Sequence, residues 1–143
     1  MVLSLLFVAF ELRQSNRIAI GNAELSMAAL NADVNRVIFE SEDNDEIFVK
    51  LTSKEPNLTP EEYQKALYIA YMHLNRWIAT ERSFDNGLLS EPTFLAEYDD
   101  VTFLFNRMPG FAPIFVYLIE SYPITEGNFS ALITHALNEA SKH

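Results

Sequence analysis

Apolar residues open the chain without a break. From Met1 to Phe10 the only clearly polar side chain is Ser4, and Glu11 and Arg13 then end the run. At about 1.5 Å per helical residue the run covers roughly half of a ~30 Å hydrocarbon core, so it cannot span a bilayer by itself. No basic region precedes it and no small-residue cleavage site follows, which argues against a secretory signal. Three expectations remain: the tail of a membrane helix that starts upstream, an interfacial anchor, or a helix end buried against another protein. The residues assigned to the membrane are Val2, Leu3, Leu5, Leu6, Phe7, Val8 and Phe10. Residues 1–17 are then the end of a membrane anchor, and 18–143 a single α-helical domain.

Beyond Arg17 the pattern turns periodic. Ile20, Ala23, Met27, Leu30, Val34 and Val37 recur at alternating spacings of three and four, the seam of a supercoiled or bundle helix. The spacing predicts a long first helix whose seam is an interaction surface. Asn31 to Asp33 is a place where it could break, and Ser41 to Asp45 reads as a turn, because Asn and Asp compete for the backbone. A short helix over Glu46 to Thr52 follows. Thr59-Pro60-Glu61-Glu62 combines a Thr cap, Pro at the first helical position and a Glu that can reach back, so a helix starts there. Its apolar positions, from Tyr63 and Leu67 through Ala70, Tyr71 and Leu74 to Trp77 and Ile78, keep the helical period, and Asn86-Gly87 stops it after about seven turns. Ser90-Glu91-Pro92 starts another helix, with Phe94, Tyr98, Val101, Leu104 and Phe105 as its stripe and Met108-Pro109-Gly110 as its end. Six apolar residues from Ile114 to Ile119 predict a segment buried all round, helical from its context. Pro123 to Asn128 is the last turn, and Phe129, Leu132, Ile133, Ala136 and Leu137 mark a terminal amphipathic helix. The predicted fold class is all-α: a helical bundle with a long N-terminal helix and five to six helices in total.

Composition supports one such unit. A chain of 143 residues, 49 % apolar and 13 % aromatic, can build a dense core. Net charge is −10, and the ten basic residues are scattered rather than striped, so nucleic acid is not an expected partner. The acidity itself is read as a solvated surface. With no cysteine, disulfides, thiolate catalysis and thiolate metal sites are excluded.

Little in the sequence carries chemistry. His73, His135 and His143 match no zinc spacing, and no Glu stands three residues before any His, as di-iron bundles require. His73 is therefore expected to be structural, and no metal or cofactor is expected. Glu97, Asp99 and Asp100 could form an acid and base pair if burial separated their proton affinities, but a solvated helix face is the expected outcome. Gly-rich phosphate loops and Ser-His-Asp arrangements are not evident. Asn75, Thr80, Glu81 and Arg82 interleave with Trp77 and Ile78, so the long helix places polar groups inside the bundle. A satisfied structural network is expected there, with a small-molecule pocket at Asn75, Glu81 and Arg82 as the alternative. Trp77, on the stripe of the best-capped helix, is assigned to the core.

The stretch Val8-Ala9-Phe10-Glu11-Leu12-Arg13-Gln14-Ser15-Asn16-Arg17 resembles the anchor-to-domain junction of a widespread family of small, uncharacterised bacterial proteins. Leu58-Thr59-Pro60-Glu61-Glu62, Glu81 with Asn86-Gly87-Leu88-Leu89, Pro109-Gly110-Phe111, Phe115 and Tyr122 resemble the remainder of the same pattern. The resemblance implies a membrane helix followed by an α-helical domain and brings no catalytic residue or ligand. Together these observations lead to the expectation of a non-enzymatic, membrane-associated helical interaction module, an accessory subunit of a membrane complex. Its expected partners are further copies of itself or a membrane-complex subunit, with the membrane engaged through the N-terminal segment. Arg13 and Arg17 place the bulk of the chain on the cytoplasmic side. A sensor or binding domain, an unrecognised hydrolase and a soluble cytoplasmic location stand as the alternatives.

Overall fold

A capping box starts the central helix, as the sequence predicts. Thr59 Oγ1 accepts the Glu62 N–H at 3.2 Å and Glu62 Oε2 accepts the Thr59 N–H at 2.8 Å, so two otherwise orphaned donors are satisfied reciprocally. At the other end Leu88 N–H bonds Ser83 O and Gly87 N–H bonds Phe84 O, both at 2.8 Å. Gly87 adopts φ +68°, the left-handed conformation this cap needs. The computed structural model describes residues 2–40, 42–121 and 127–141. In chain order its helices are α1 (Val2–Phe39), α2 (Glu42–Leu51), α3 (Pro60–Asp85), α4 (Glu91–Arg107), a single 3₁₀ turn (Pro109–Phe111), α5 (Ala112–Ser121) and α6 (Asn128–Ser141). No strand occurs among the described residues, and the all-α bundle is as expected.

Helix α3 is the axis of the bundle, packed against all five other helices. Its buried face runs Ala66, Ile69, Ala70, His73, Leu74, Arg76, Trp77, Thr80 and Glu81. Trp77 is fully enclosed, stacked on Phe115 of α5 at 5.4 Å and on Phe129 of α6 at 6.3 Å between ring centroids. Phe94 of α4 completes this aromatic layer, stacked on Phe84 at 4.2 Å and edge-on to Phe129. The 3₁₀ turn presses against the end of α2. A Cβ on Gly110 would lie 2.6 Å from Ser53 O and 2.9 Å from Leu51 O, both backbone atoms, so only glycine fits.

Several local expectations are corrected. Helix α1 runs through Asn31 to Asp33 without a break: the Asn31 side chain bonds Glu97 and Asp33 pairs with Arg36, so neither competes for its own backbone. The turn expected over Ser41 to Asp45 is shorter, with α2 starting at Glu42 and ending at Leu51. Asn44 is buried and donates Nδ2 to Ile38 O at 2.9 Å, which closes the corner from inside the helix. Lys50 ties α2 to α3 through Glu62 at 2.5 Å. Helix α5 is not enclosed all round: Ile114, Phe115 and Leu118 are buried, while Val116 and Tyr117 face out. Most of the turn expected over Pro123 to Asn128 lies outside the described residues.

Candidate functional site

The structure does not bring Asn75, Glu81 and Arg82 together. Asn75 and Arg82 are exposed, whereas Glu81 is buried on the opposite side of α3. Its Oε1 accepts the backbone N–H groups of Asn128 and, at 3.4 Å, Phe129, so the carboxylate caps α6 from another helix. Gly127, at φ +135°, lets the chain pass close against this carboxylate, where a Cβ would overlap it. Thr80, also fully buried, donates to Arg76 O at 3.0 Å. The structural network expected here is what these two residues build.

A second cluster is an ion-pair network that joins three helices, and its keystone, Arg76, is not among the residues singled out from the sequence. Arg76 is 5 % exposed, its Nε 3.2 Å from Glu97 Oε2 and its Nη2 paired with Asp100 Oδ2. Asn31 of α1 donates Nδ2 to the other Glu97 oxygen, so α1, α3 and α4 meet at one ion-pair network. Glu97 is thereby drawn inward, its side chain 14 % exposed, while Asp100 stays 37 % exposed beside the exposed Asp99. The signal was present in spacing: Arg76 stands beside Trp77 and three residues after His73 on the buried stripe, and Glu97 and Asp100 sit three apart next to Val101.

His73 borders this network, its ring 5.6 Å from Trp77. Burial pushes its pKa down to about 4, the nearby Arg76 charge adds to the effect, and Asp100 opposes it. The imidazole is therefore neutral at neutral pH, tilted against Trp77 of its own helix. No grouping of three or more His, Asp or Glu suited to a metal occurs among the described residues.

Two surfaces remain. A shallow groove of 270 Å³ between α3 and α5 is lined by Gln64, Leu67, Tyr68, Tyr71, Tyr117 and Leu118, none of them a ligand-binding candidate from the sequence. The other surface is α1 itself. Up to Ala19 every described side chain is exposed, including Leu6, Phe7, Val8 and Phe10, while the side chains of Val2, Leu3 and Leu5 lie outside the described residues. Further along, the predicted seam divides. Met27 and Val34 are buried and Ile20 and Ala23 half-buried, but Leu30 and Val37 are exposed. Glu24 and Asn31 are half-buried in the same way and Ile38 is buried, so the packed face is centred on Glu24, Met27, Asn31, Val34 and Ile38. Glu24 accepts the Ser90 N–H at 3.3 Å and the Thr93 hydroxyl at 3.2 Å, standing at the start of α4, where Ser90 makes no side-chain cap. Hydrogen bonds from Ser90, and more weakly Thr93, hold the Glu24 carboxyl below its ordinary pKa.

Comparison with protein-family models, with curated proteins and with solved structures finds no match to this chain.

Proposed function

We propose that this chain is a non-enzymatic helical interaction module that associates with a membrane through the first turns of α1 and serves a membrane complex as an accessory subunit. One observation carries the proposal: Leu6, Phe7, Val8 and Phe10 are 63 %, 62 %, 49 % and 66 % exposed on a helix that leaves the bundle behind. Successive helical residues turn by about 100°, so these four spread over about 200° of the helix circumference, wider than the ~100° stripe of a helix that packs by one face. A groove on a protein partner covers one face of a helix, whereas a surrounding apolar medium covers all of them. Full burial of a large apolar side chain is worth about 1.5–3 kcal/mol, so the exposed parts of these four together supply on the order of 5 kcal/mol toward leaving water. The resemblance to proteins with a membrane helix before a helical domain points the same way.

The proposed mode is insertion of a tip. No single described helix is long and apolar enough to cross a membrane. Glu11, Arg13, Gln14, Ser15, Asn16 and Arg17 follow the tip with polar groups suited to the headgroup layer, and the acidic bundle stands beyond them on the cytoplasmic side. Flotation with phosphatidylcholine vesicles tests this directly. The full chain should float, and Phe7→Asp/Phe10→Asp should stay at the bottom with an unchanged circular dichroism spectrum. A full chain that remains with the soluble fraction defeats the proposal.

A further inference from the structure

Helix α1 carries two overlapping lanes that differ by a small roll about its axis. The lane in use is Glu24, Met27, Asn31, Val34 and Ile38, and the lane beside it is Ile20, Ala23, Met27, Leu30, Val34 and Val37. Met27 and Val34 belong to both. On a helix with about 100° per residue the centres of the two lanes lie about 50° apart. The lane in use contains two polar residues, seven apart, where the other offers alanine and leucine. Leu30 and Val37 are meanwhile 37 % and 47 % exposed at the edge of the contact. Apolar burial alone would choose the other lane.

Polar contacts oppose that preference. Glu24 is held at the start of α4 by Ser90 and Thr93, and Asn31 is held by Glu97, itself bound to Arg76. A polar residue within an apolar seam fixes register at a cost in stability, because only one register gives it a partner. We infer that α1 is a two-register helix: Glu24 and Asn31 latch it in the observed register, and their release rolls it by about 50° onto the Leu30 and Val37 lane. Because α1 is one unbroken helix from Val2 to Phe39, the roll turns the faces of the N-terminal arm by the same angle and withdraws Asn31 from the Arg76 network in the same movement. The arm and the buried ion pairs are thereby coupled. The inference does not rest on what the arm docks into, since the roll is read with no membrane present.

The absence of cysteine makes the test clean. Two single-cysteine reporters, Val37→Cys on the exposed lane and Ile38→Cys on the buried one, are compared in the latched chain and in Glu24→Ala/Asn31→Ala, with Val49→Cys as an exposed reference. Thiol labelling of Val37→Cys should slow at least tenfold when the latch is removed, that of Ile38→Cys should quicken at least tenfold, and that of Val49→Cys should not change. Opposite signs at neighbouring residues are the signature of a roll. If both reporters quicken, α1 detaches instead of rolling, and if neither changes, the latch selects nothing; either result overturns the inference.

Discussion

The two longest helices obey opposite rules. Helix α3 is capped at both ends by local sequence and buries one face against all its neighbours. Helix α1 has no acidic residue in its first turn and exposes apolar side chains along its first half. Its second half meets the bundle through a lane that is partly polar. The position of α3 is dictated from within the chain, by caps and by a stripe that needs covering. The register of α1 is set by bonds from other helices, and its arm is left for something outside the bundle. Stability and association are thus divided between the two, and each substitution below should act on one side of that division.

The largest effect belongs to Trp77, the centre of the α3 side. Its ring is fully buried between Phe115 and Phe129, so truncation to alanine removes a filled volume with no way to collapse. Trp77→Ala should cost about 3–5 kcal/mol against a total of ~5–15 kcal/mol for a domain, and the melting temperature should fall by more than about 10 °C. A thermal melt displaced by only a degree or two would remove α3 from its place as the axis of the fold.

Next in size is a pH effect from the same helix. The pKa of His73 is lowered from 6.5 to about 4 in the folded chain. Above pH 6.5 the imidazole is neutral in both states and stability is at its full value. Below it the unfolded chain takes up a proton that the folded chain refuses, so stability falls as pH drops, and the fall levels off below about pH 4. By about pH 5 the loss should reach about 2 kcal/mol. Glu24 and Glu62, whose pKa values are also lowered, act only from the acid end of this window downward, near and under the ordinary carboxylate value of 4.5. Urea denaturation at neutral pH and near pH 5 should show the slope in the native chain and lose it in His73→Leu.

How much of this was legible in the sequence follows from how local each cause is. The caps of α3, its stop at Gly87, the core place of Trp77 and the all-helical class depend on residues within a few positions of one another, and periodicity finds them. The Arg76 network does not, because its members come from three helices 66 and 24 positions apart. Glu81 was noticed as a polar residue on an apolar stripe, but its task lies with α6, and nothing local says so. The α1 seam shows the limit most plainly. Hydrophobic spacing found the apolar seam, but the packed face is turned from Leu30 and Val37 toward Glu24, Asn31 and Ile38, whose polar members meet hydrogen-bond partners on other helices.

Glu81 gives a smaller effect that separates capping from packing. Its carboxylate is the acceptor for the first N–H groups of α6, so Glu81→Ala leaves those donors unpaired in a partly buried place. The expected cost is about 1–2 kcal/mol. Glu81→Gln keeps an acceptor oxygen without the charge and should recover part of it. Hydrogen exchange should locate the loss in α6, with the exchange of α3 unaltered. Faster exchange spread evenly over the bundle would mean that Glu81 supports the core generally and does not act as a cap.

The smallest effect on stability should come from the largest deletion. Up to residue 19 the described side chains of α1 are all exposed, so removing residues 2–17 takes away almost no packing and no cap of another helix. An isolated helical stretch of that length is marginal in water and adds little to the bundle's cooperativity. The melting temperature of the shortened chain, measured at low micromolar concentration to limit association of the arm, should stay within about 2 °C of the native value. Vesicle binding should be lost in the same protein. A fall of more than about 5 °C would show that the arm supports the fold, and the division of labour between α1 and α3 would then fail. A shortened chain that melts unchanged yet still floats with vesicles would keep the division and move the membrane contact to the bundle, where the tyrosine groove between α3 and α5 is the first surface to mutate.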